Sequence, residues 1–189
     1  MTKNPHIPPR VISRSDVFRM LAHRTRMEAL TPWLDRRNQA IIALVYTSGA
    51  SVADIRTIKV LDGAGEELTL SCIFPVTDWA MGLVSDWYHS GRTQMRNHTD
   101  RAELFLTRTG APMGGKSVLR VVKKRGEAAG IPGVTPKALR NSYGAHMLDN
   151  GASVKDVRKA MRHIKLETTA KLIGLSRSIE KVEKAPSIF

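Results

Sequence analysis

Two side chains near the C-terminal end of the sequence are of types that bind phosphate. Arg140 lies in the segment TPKALRNSYGAHMLDNG, and His163 ends the basic segment SVKDVRKAMRH. A planar guanidinium can hold two phosphate oxygens at once. The negative end of the helix dipole favours the protonated form of a histidine at a helix C-terminus. Taken alone, Arg140 also fits a surface arginine paired with an acid, and His163 fits an ordinary helix-terminal histidine. The assignment to phosphate therefore depends on the pattern around both residues.

Two amphipathic helices are predicted to present these side chains. In the first, Leu139, Tyr143 and Met147 recur every four residues, and Arg140 borders that apolar stripe. The second helix is the basic segment that ends at His163. Further helices are predicted on either side, over 116–130 and 166–174.

The N-terminal part of the chain is predicted to be helical and to lead into a hairpin. Ser15 is predicted to cap the first helix, with an acid in its first turn. Gly49 is predicted to end a buried second helix in the left-handed conformation. Ser51, followed three residues later by Asp54, predicts the start of a short third helix. The second helix is predicted over 34–47. The elements after the third helix are predicted at 59–76 (strand, turn and strand), 78–91 (helix) and 103–114 (short strand and turn).

The sequence contains two similar octapeptides, GASVADIR at 49–56 and GASVKDVR at 151–158, which share six of eight residues. We interpret them as a local pattern, in which glycine ends one helix, serine caps the next and aspartate completes a capping box. The flanking residues do not match, which favours this explanation over an internal duplication.

The residues from Thr135 onward resemble the signature segment of the tyrosine recombinase (phage integrase) family. They run T-P, x-x-L-R, an aromatic, A-x-x-L/M, x-x-G, a second amphipathic helix, a histidine and then E-T-T. The segments YTSGASVADIRTIKV and ELFLTRTGAPMGGKSVLRVVKKRGEAAGI resemble earlier parts of the same family. The resemblance covers about residues 30–175. It implies that family's catalytic-domain fold, mainly α with a small antiparallel β-sheet (α+β), without its separate N-terminal DNA-clamping domain.

The resemblance also implies a role for each matching position. Arg140 and His163 are retained in the phosphate pocket, and Lys137 stands at the first position of the H-x-x-R pair. The family's first catalytic arginine falls on Ser51. The nucleophilic tyrosine, nine residues after the histidine, falls on Leu172.

Two more positions depart from the family pattern. The sequence has no lysine between Lys59 and Lys116 to match the family's hairpin lysine, and Arg162 stands where glycine is usual. Loss of one arginine from such a site would cost on the order of 10²–10³ in rate, by analogy with removal of an oxyanion-hole donor. A leucine has no nucleophilic atom. The sequence therefore predicts that the chain is not an enzyme, with no catalytic residue assigned and a degenerate site at positions 51 and 172.

Other sources of a nucleophile remain open. The tyrosines lie within apolar helical patterns and are interpreted as core residues; they are Tyr46, Tyr88 and Tyr143. A hydroxyl group of this chain, or a nucleophile supplied by a partner subunit, would make the chain a divergent active recombinase. The hydroxyl candidates are Thr168, Thr169 and Ser176.

Basic charge is concentrated around the same segment. The chain carries a net charge of +13, with +9 in residues 116–171, +5 in residues 1–37 and −2 in residues 38–115. Such an excess favours a polyanion, with double-stranded DNA first. An acidic protein partner, which would make the chain a basic interaction module, is the alternative. The predicted DNA-contacting residues are Lys116, Arg120, Lys123, Lys124, Arg125, Arg158, Lys159, Arg162 and Lys165.

The length of 189 residues fits one domain. We predict a flexible arm over 1–12, an integrase-like fold over 13–175, and a tail over 176–189 that could be exchanged between protomers in an oligomer on DNA. No apolar run approaches the ~18 residues that span a membrane, and the N-terminus lacks a signal peptide. We expect a cytoplasmic, nucleoid-associated protein with no metal, cofactor or small-molecule substrate.

These patterns together predict a non-catalytic double-stranded DNA-binding protein derived from a tyrosine recombinase. Its expected role is transcriptional regulation, or an accessory or architectural role on a mobile element. The last step is an analogy, because a fold does not determine a function.

Overall fold

The computed structural model of the protein describes residues 10–62, 68–162 and 169. Over these residues the fold is mainly helical with a small antiparallel sheet, which confirms the predicted fold class. The elements are α1 (Arg14–Ala22), α2 (Arg26–Ala29), α3 (Pro32–Ser48), α4 (Val52–Thr57), β1 (Val60–Asp62), β2 (Thr69–Leu70), α5 (Asp78–Asp86), α6 (Gly115–Ala128), α7 (Pro136–Asp149) and α8 (Val154–Ala160). Among them no helix is long and apolar enough to cross a bilayer.

The chain enters the packed structure earlier than the sequence predicts. The N-cap of α1 is Ser13, whose hydroxyl accepts a hydrogen bond from the Asp16 backbone at 3.1 Å, so the predicted cap at Ser15 is wrong. Ile12 is only 2% exposed, and its N–H donates to the Ser142 hydroxyl at 2.7 Å. The predicted boundary of the arm at residue 12 therefore falls inside packed structure.

Helix α3 forms the centre of the hydrophobic core. Its residues 40–45 have no exposed surface, as expected for a helix surrounded by other elements. It ends at Gly49 with φ 62°, which confirms the predicted left-handed cap. A Cβ atom at Gly49 would lie 2.7 Å from Cδ1 of Tyr143, so only glycine lets the end of α3 meet α7 this closely.

The predicted hairpin is present, and it joins a third segment. Strands β1 and β2 pair antiparallel, and Lys59 forms a further bridge with Glu103. After α5 the chain makes one π-helical turn over Trp87–Gly91 and then two short 3-10 turns, Arg92–Gln94 and His98–Asp100. The fully buried Trp87 donates its indole N–H to the Leu104 carbonyl at 3.0 Å, which attaches this segment to the sheet.

A buried group of charges joins α1, α2, α3 and α6. Arg125 has no exposed surface; it donates to Glu28 at 2.7 Å and forms an ion pair with Asp35. The prediction that Arg125 contacts DNA is therefore wrong, because its guanidinium lies inside the protein and its donors are used there. The charge is kept in the interior by paired carboxylates, without which its burial would be very costly.

Glu28→Gln is expected to make stability less dependent on pH. Burial raises the pKa of Glu28, but hydrogen bonds from Arg125, Asn38 and the Thr25 backbone outweigh it, so the pKa lies below its usual value. A lowered pKa contributes stability that is present above the usual carboxyl range and is lost as pH falls through the folded-state pKa. The variant should be less stable than wild type by about 2–4 kcal/mol at neutral pH, with the gap closing below about pH 4.

Urea unfolding over a pH series measures this effect. The matched control is Glu127→Gln, which changes an exposed carboxylate of α6 whose Lys123 partner lies at 3.9 Å. A Glu28→Gln gap that stays constant from neutral to acid pH would contradict the assigned pKa direction.

Candidate phosphate-binding site

Two arginines from separate parts of the chain meet at one carboxylate. The Arg162 Nη2 atom lies 2.7 Å from Oδ2 of Asp54, and the Arg140 Nη1 atom lies 3.8 Å from the same oxygen. The three side chains are each between 20% and 24% exposed. The site therefore combines two positive groups and one negative group at the protein surface, with a net charge of +1.

Helix α4 places the carboxylate through its own N-terminal cap. The Ser51 hydroxyl accepts from the Asp54 N–H at 3.1 Å, and the Asp54 carboxylate accepts from the Ser51 N–H at 2.7 Å. This is the predicted capping box. Burial raises the pKa of Asp54, but the bonds from Ser51 and Arg162 outweigh it and leave the pKa below its usual value. Asp54 is thus a fixed anion at neutral pH.

Helix α7 carries Arg140 in its second turn. Thr135 caps the helix by accepting from the Ala138 N–H at 3.1 Å, and Pro136 occupies the first turn, as predicted. The Arg140 Nη2 atom donates to the Met161 carbonyl at 2.6 Å, which joins α7 to the end of α8. Burial and the nearby Arg162 lower the pKa of Arg140, while Asp54 raises it. Arginine nevertheless stays charged in proteins.

Arg162 has an unusual backbone conformation, with φ 52°. This left-handed region is one that glycine adopts without steric cost, which explains why glycine is usual at this position in the family that the sequence resembles. The Arg162 guanidinium is held on both sides, by Asp54 and by the ring of Phe74, whose centroid lies 5.1 Å away. These two contacts give the Arg162 side chain a defined position beside Asp54.

Exposed cations cover one face of α6. Four of them line a groove of about 320 Å³ together with Leu119 and Glu127; they are Lys116, Arg120, Lys123 and Lys124. The opposite face, with Val118 and Val122, is buried in the core. The structure thus keeps four of the five predicted DNA-contacting residues of this helix on an accessible surface.

Gly115 links the basic face of α6 to the arginine site. A Cβ atom at this position would lie 3.3 Å from Val52 Cγ1 and 3.6 Å from Arg56 Cδ, so α6 begins directly against α4. Arg56 is exposed on α4 next to the start of α6. Arg56 is not among the predicted DNA-contacting residues, since its spacing of two residues from Asp54 does not place the two side chains on one helical face.

The remaining predicted cations lie on α7 and α8. Lys137 is exposed one turn before Arg140, and Arg158 and Lys159 are exposed on α8. The other predicted positions, His163, Lys165 and Leu172, fall outside the residues that the structure describes, as do Thr168 and Ser176. Their roles stay predictions. Thr169 is fully buried, which does not suit an attacking hydroxyl.

The three tyrosines are all partly buried and packed against hydrophobic clusters, as predicted. Tyr46 contacts His146, with its hydroxyl 2.9 Å from Nδ1. The Tyr88 ring faces the guanidinium of Arg92 at 5.6 Å. Burial raises the pKa of Tyr143, although Arg162 lowers it. None of these three described tyrosines is placed by its contacts as an exposed nucleophile.

Comparison with known proteins gives the context for this site. The family model described as "Phage integrase family" matches residues 16–173. The tyrosine recombinase XerC of Bifidobacterium longum (strain DJO10A) is 29% identical over 160 residues, which cover 75% of this chain and 44% of the relative. The tyrosine recombinase XerD of Staphylococcus haemolyticus (strain JCSC1435) is 26% identical over 154 residues, covering 75% and 51%. The chain spans about half the length of these relatives.

Solved structures show the same fold. A crystal structure of XerA recombinase superposes with a TM-score of 0.72 at 18% identity, covering 97% of this chain and 66% of that one. The XerH site-specific recombinase, bound to a palindromic difH substrate in a post-cleavage complex, superposes with a TM-score of 0.69 at 15% identity, covering 98% and 55%.

These comparisons overturn the prediction that the chain is not an enzyme. The relatives are named tyrosine recombinases, which are enzymes. The prediction rested on positions 51 and 172, together with Lys137 and the absence of a hairpin lysine, and substitutions of this kind are not by themselves evidence of inactivity. The prediction is therefore wrong as it was made.

Proposed function

The chain belongs to the phage integrase family, and on that premise we propose that it binds duplex DNA by its backbone phosphates during site-specific recombination. The observation that carries the proposal is the meeting of Arg140 and Arg162 at Asp54, beside the exposed cations of α6. Guanidinium groups match the geometry and charge of phosphate oxygens. Phosphate contacts of this kind fix the position of a protein on DNA, while contacts to base edges provide sequence specificity.

The arrangement supports a footprint of several phosphates. The arginine site would hold one phosphate, and the lysines of α6 and α8 would neutralise others along the same duplex. The XerH neighbour is described as bound to its palindromic difH substrate, which supports a recombination substrate as the ligand of this chain. Assembly of several copies on DNA, and action in the nucleoid of the cytoplasm, are parts of the same proposal.

Binding across a salt series tests this function. A protein that contacts about six phosphates loses on the order of 10³ in affinity as salt rises from roughly 50 to roughly 200 mM. We expect a linear fall of log affinity with log salt for a mixed-sequence duplex, measured by fluorescence anisotropy. A flat dependence would reject duplex DNA as the partner and favour the alternative of a basic protein-interaction module.

Strand cleavage needs a separate experiment, because position 172 holds a leucine. A nicked duplex traps the covalent intermediate of a tyrosine recombinase, since the released fragment diffuses away before religation. A covalent adduct with this chain, followed by peptide mapping, would identify the nucleophile. Cleavage only when a second recombinase is added would assign the nucleophile to the partner. Roles in transcriptional regulation, or as an accessory factor of a mobile element, use the same DNA binding and stay predictions.

A further inference from the structure

We propose that Arg162 and Arg140 form a clasp for a single DNA phosphate, in which Arg162 replaces the guanidinium that the family supplies from the position of Ser51. The inference rests on the proposed function, since it names the groups that hold one phosphate of the bound duplex. It goes beyond that function because the family has glycine, with no side chain, at the position of Arg162.

Ser51 cannot supply a cation, and its side chain caps α4. Its N–H and hydroxyl both bond Asp54 at the start of α4. The guanidinium of Arg162, which follows α8 by two positions, reaches the same carboxylate oxygen as the Ser51 N–H. The site therefore has a second guanidinium although position 51 supplies none.

The two guanidiniums have donors to spare. Arg140 uses Nη2 for the Met161 carbonyl and Nη1 for the long contact with Asp54, while Arg162 uses Nη2 for Asp54 and Nη1 for the Ala160 carbonyl at 3.4 Å. Each guanidinium has five N–H groups, so others remain for a ligand. The net charge of +1 for the three side chains matches the single negative charge of a phosphodiester.

The backbone at Arg162 gives an independent indication. A bulky residue at φ 52° is strained, and such strain persists where the surrounding contacts hold it. Here the ion pair with Asp54 and the ring of Phe74 hold the side chain. Glycine would avoid the strain, so an arginine at this position has a cost in stability that the backbone conformation alone does not require.

Arg162→Gly removes the guanidinium with little expected loss of stability, because glycine adopts the left-handed backbone conformation without strain. It therefore tests the clasp separately from folding. We expect about tenfold weaker binding to a labelled mixed-sequence duplex, and a salt slope smaller by about one. Asn97→Gly is the matched control, since Asn97 has φ 49° and carries no charge. It should leave affinity and slope unchanged. The double variant Ser51→Arg with Arg162→Gly should recover the slope.

The outcomes separate this inference from the proposed function. If wild type binds with a steep salt slope and Arg162→Gly binds equally well with the same slope, the clasp is wrong and DNA binding stands. If wild type shows no salt-dependent binding, both fail. If Arg162→Gly unfolds at a much lower urea concentration than wild type, Arg162→Lys is used as the test variant instead. That variant should keep the slope and lose affinity about threefold, because an ammonium lacks the planar fork; wild-type affinity would overturn the clasp.

Discussion

Arg125→Ala is expected to destabilise the protein by about 3–5 kcal/mol, because it leaves two carboxylates buried without their partner. Arg125 is fully buried, its Nε donates to Glu28 at 2.7 Å, and its Nη2 pairs with Asp35. Native domains have only about 5–15 kcal/mol of total stability. The variant should therefore lose a large fraction of the total stability and unfold at a clearly lower urea concentration than wild type.

The same guanidinium also holds the end of α1. Its Nη1 atom lies 3.2 Å from three carbonyl oxygens, those of Met20, Leu21 and His23. These carbonyls lie at the C-terminal end of the helix, where no further turn of the helix supplies donors. Arg125→Lys should therefore also be destabilised, since one ammonium cannot reach both the carboxylates and this set of carbonyls.

Urea unfolding of the variants measures the loss, with Lys124→Ala as the control. Lys124 is the adjacent residue and is exposed on the groove of α6, so its removal should change stability by no more than about 0.5 kcal/mol. Equal stability of Arg125→Ala and Lys124→Ala would show that the buried charges are not a main support of the fold. Lys124→Ala should instead bind DNA more weakly than wild type, with a smaller salt slope, while its stability is unchanged.

The position of Arg125 was available in the sequence and was missed. Residues three, four and seven positions before it are Val122, Val121 and Val118, all buried in the structure. A helix places these four side chains on one face, so the period assigns Arg125 to the core. The run of three basic residues suggested one solvated surface, but helical rotation divides such a run between two faces.

Capping patterns in the sequence predicted the starts of the helices around the site. In both octapeptides the serine caps the following helix, Ser51 for α4 and Ser153 for α8, and the preceding glycines have positive φ. This confirms the glycine and serine roles of the local interpretation, while the capping box is complete only in the first octapeptide, because the Asp156 carboxylate bonds the Ser153 hydroxyl and not its N–H. The cap of α1 was missed because Ser13 and Ser15 both precede an acid, and only the hydrogen bond to Asp16 separates them.

The meeting of the two arginines could not be predicted in the same way. Asp54 and Arg162 are 108 residues apart, and neither side chain has a spacing that specifies the other. Their contact depends on how α4, α7 and the end of α8 pack. The sequence shows Arg162 at a position where glycine is usual in the family. An arginine by itself does not predict a left-handed backbone, so this conformation was not predicted.

Arg140→Ala is expected to weaken binding to every duplex by about 10–100-fold, with little change in sequence preference. The loss is larger than for a single surface cation for two reasons. The planar guanidinium of Arg140 can bind two phosphate oxygens. Its hydrogen bond to the Met161 carbonyl also helps to hold the segment after α8 that contains Arg162. Removing Arg140 therefore also loosens the second arginine of the clasp.

A double-variant cycle makes this argument quantitative. Because Asp54 contacts both guanidiniums, the combined loss for Arg140→Ala and Arg162→Ala should be smaller than the sum of the separate losses. Arg36→Ala is the control, since Arg36 is also a partly exposed arginine in an ion pair, with Asp86 at 2.9 Å, but lies on α3. Affinities for several unrelated duplexes complete the measurement. A change in which duplex binds best, at undiminished overall affinity, would mean that Arg140 contacts bases and would refute its role as a phosphate ligand.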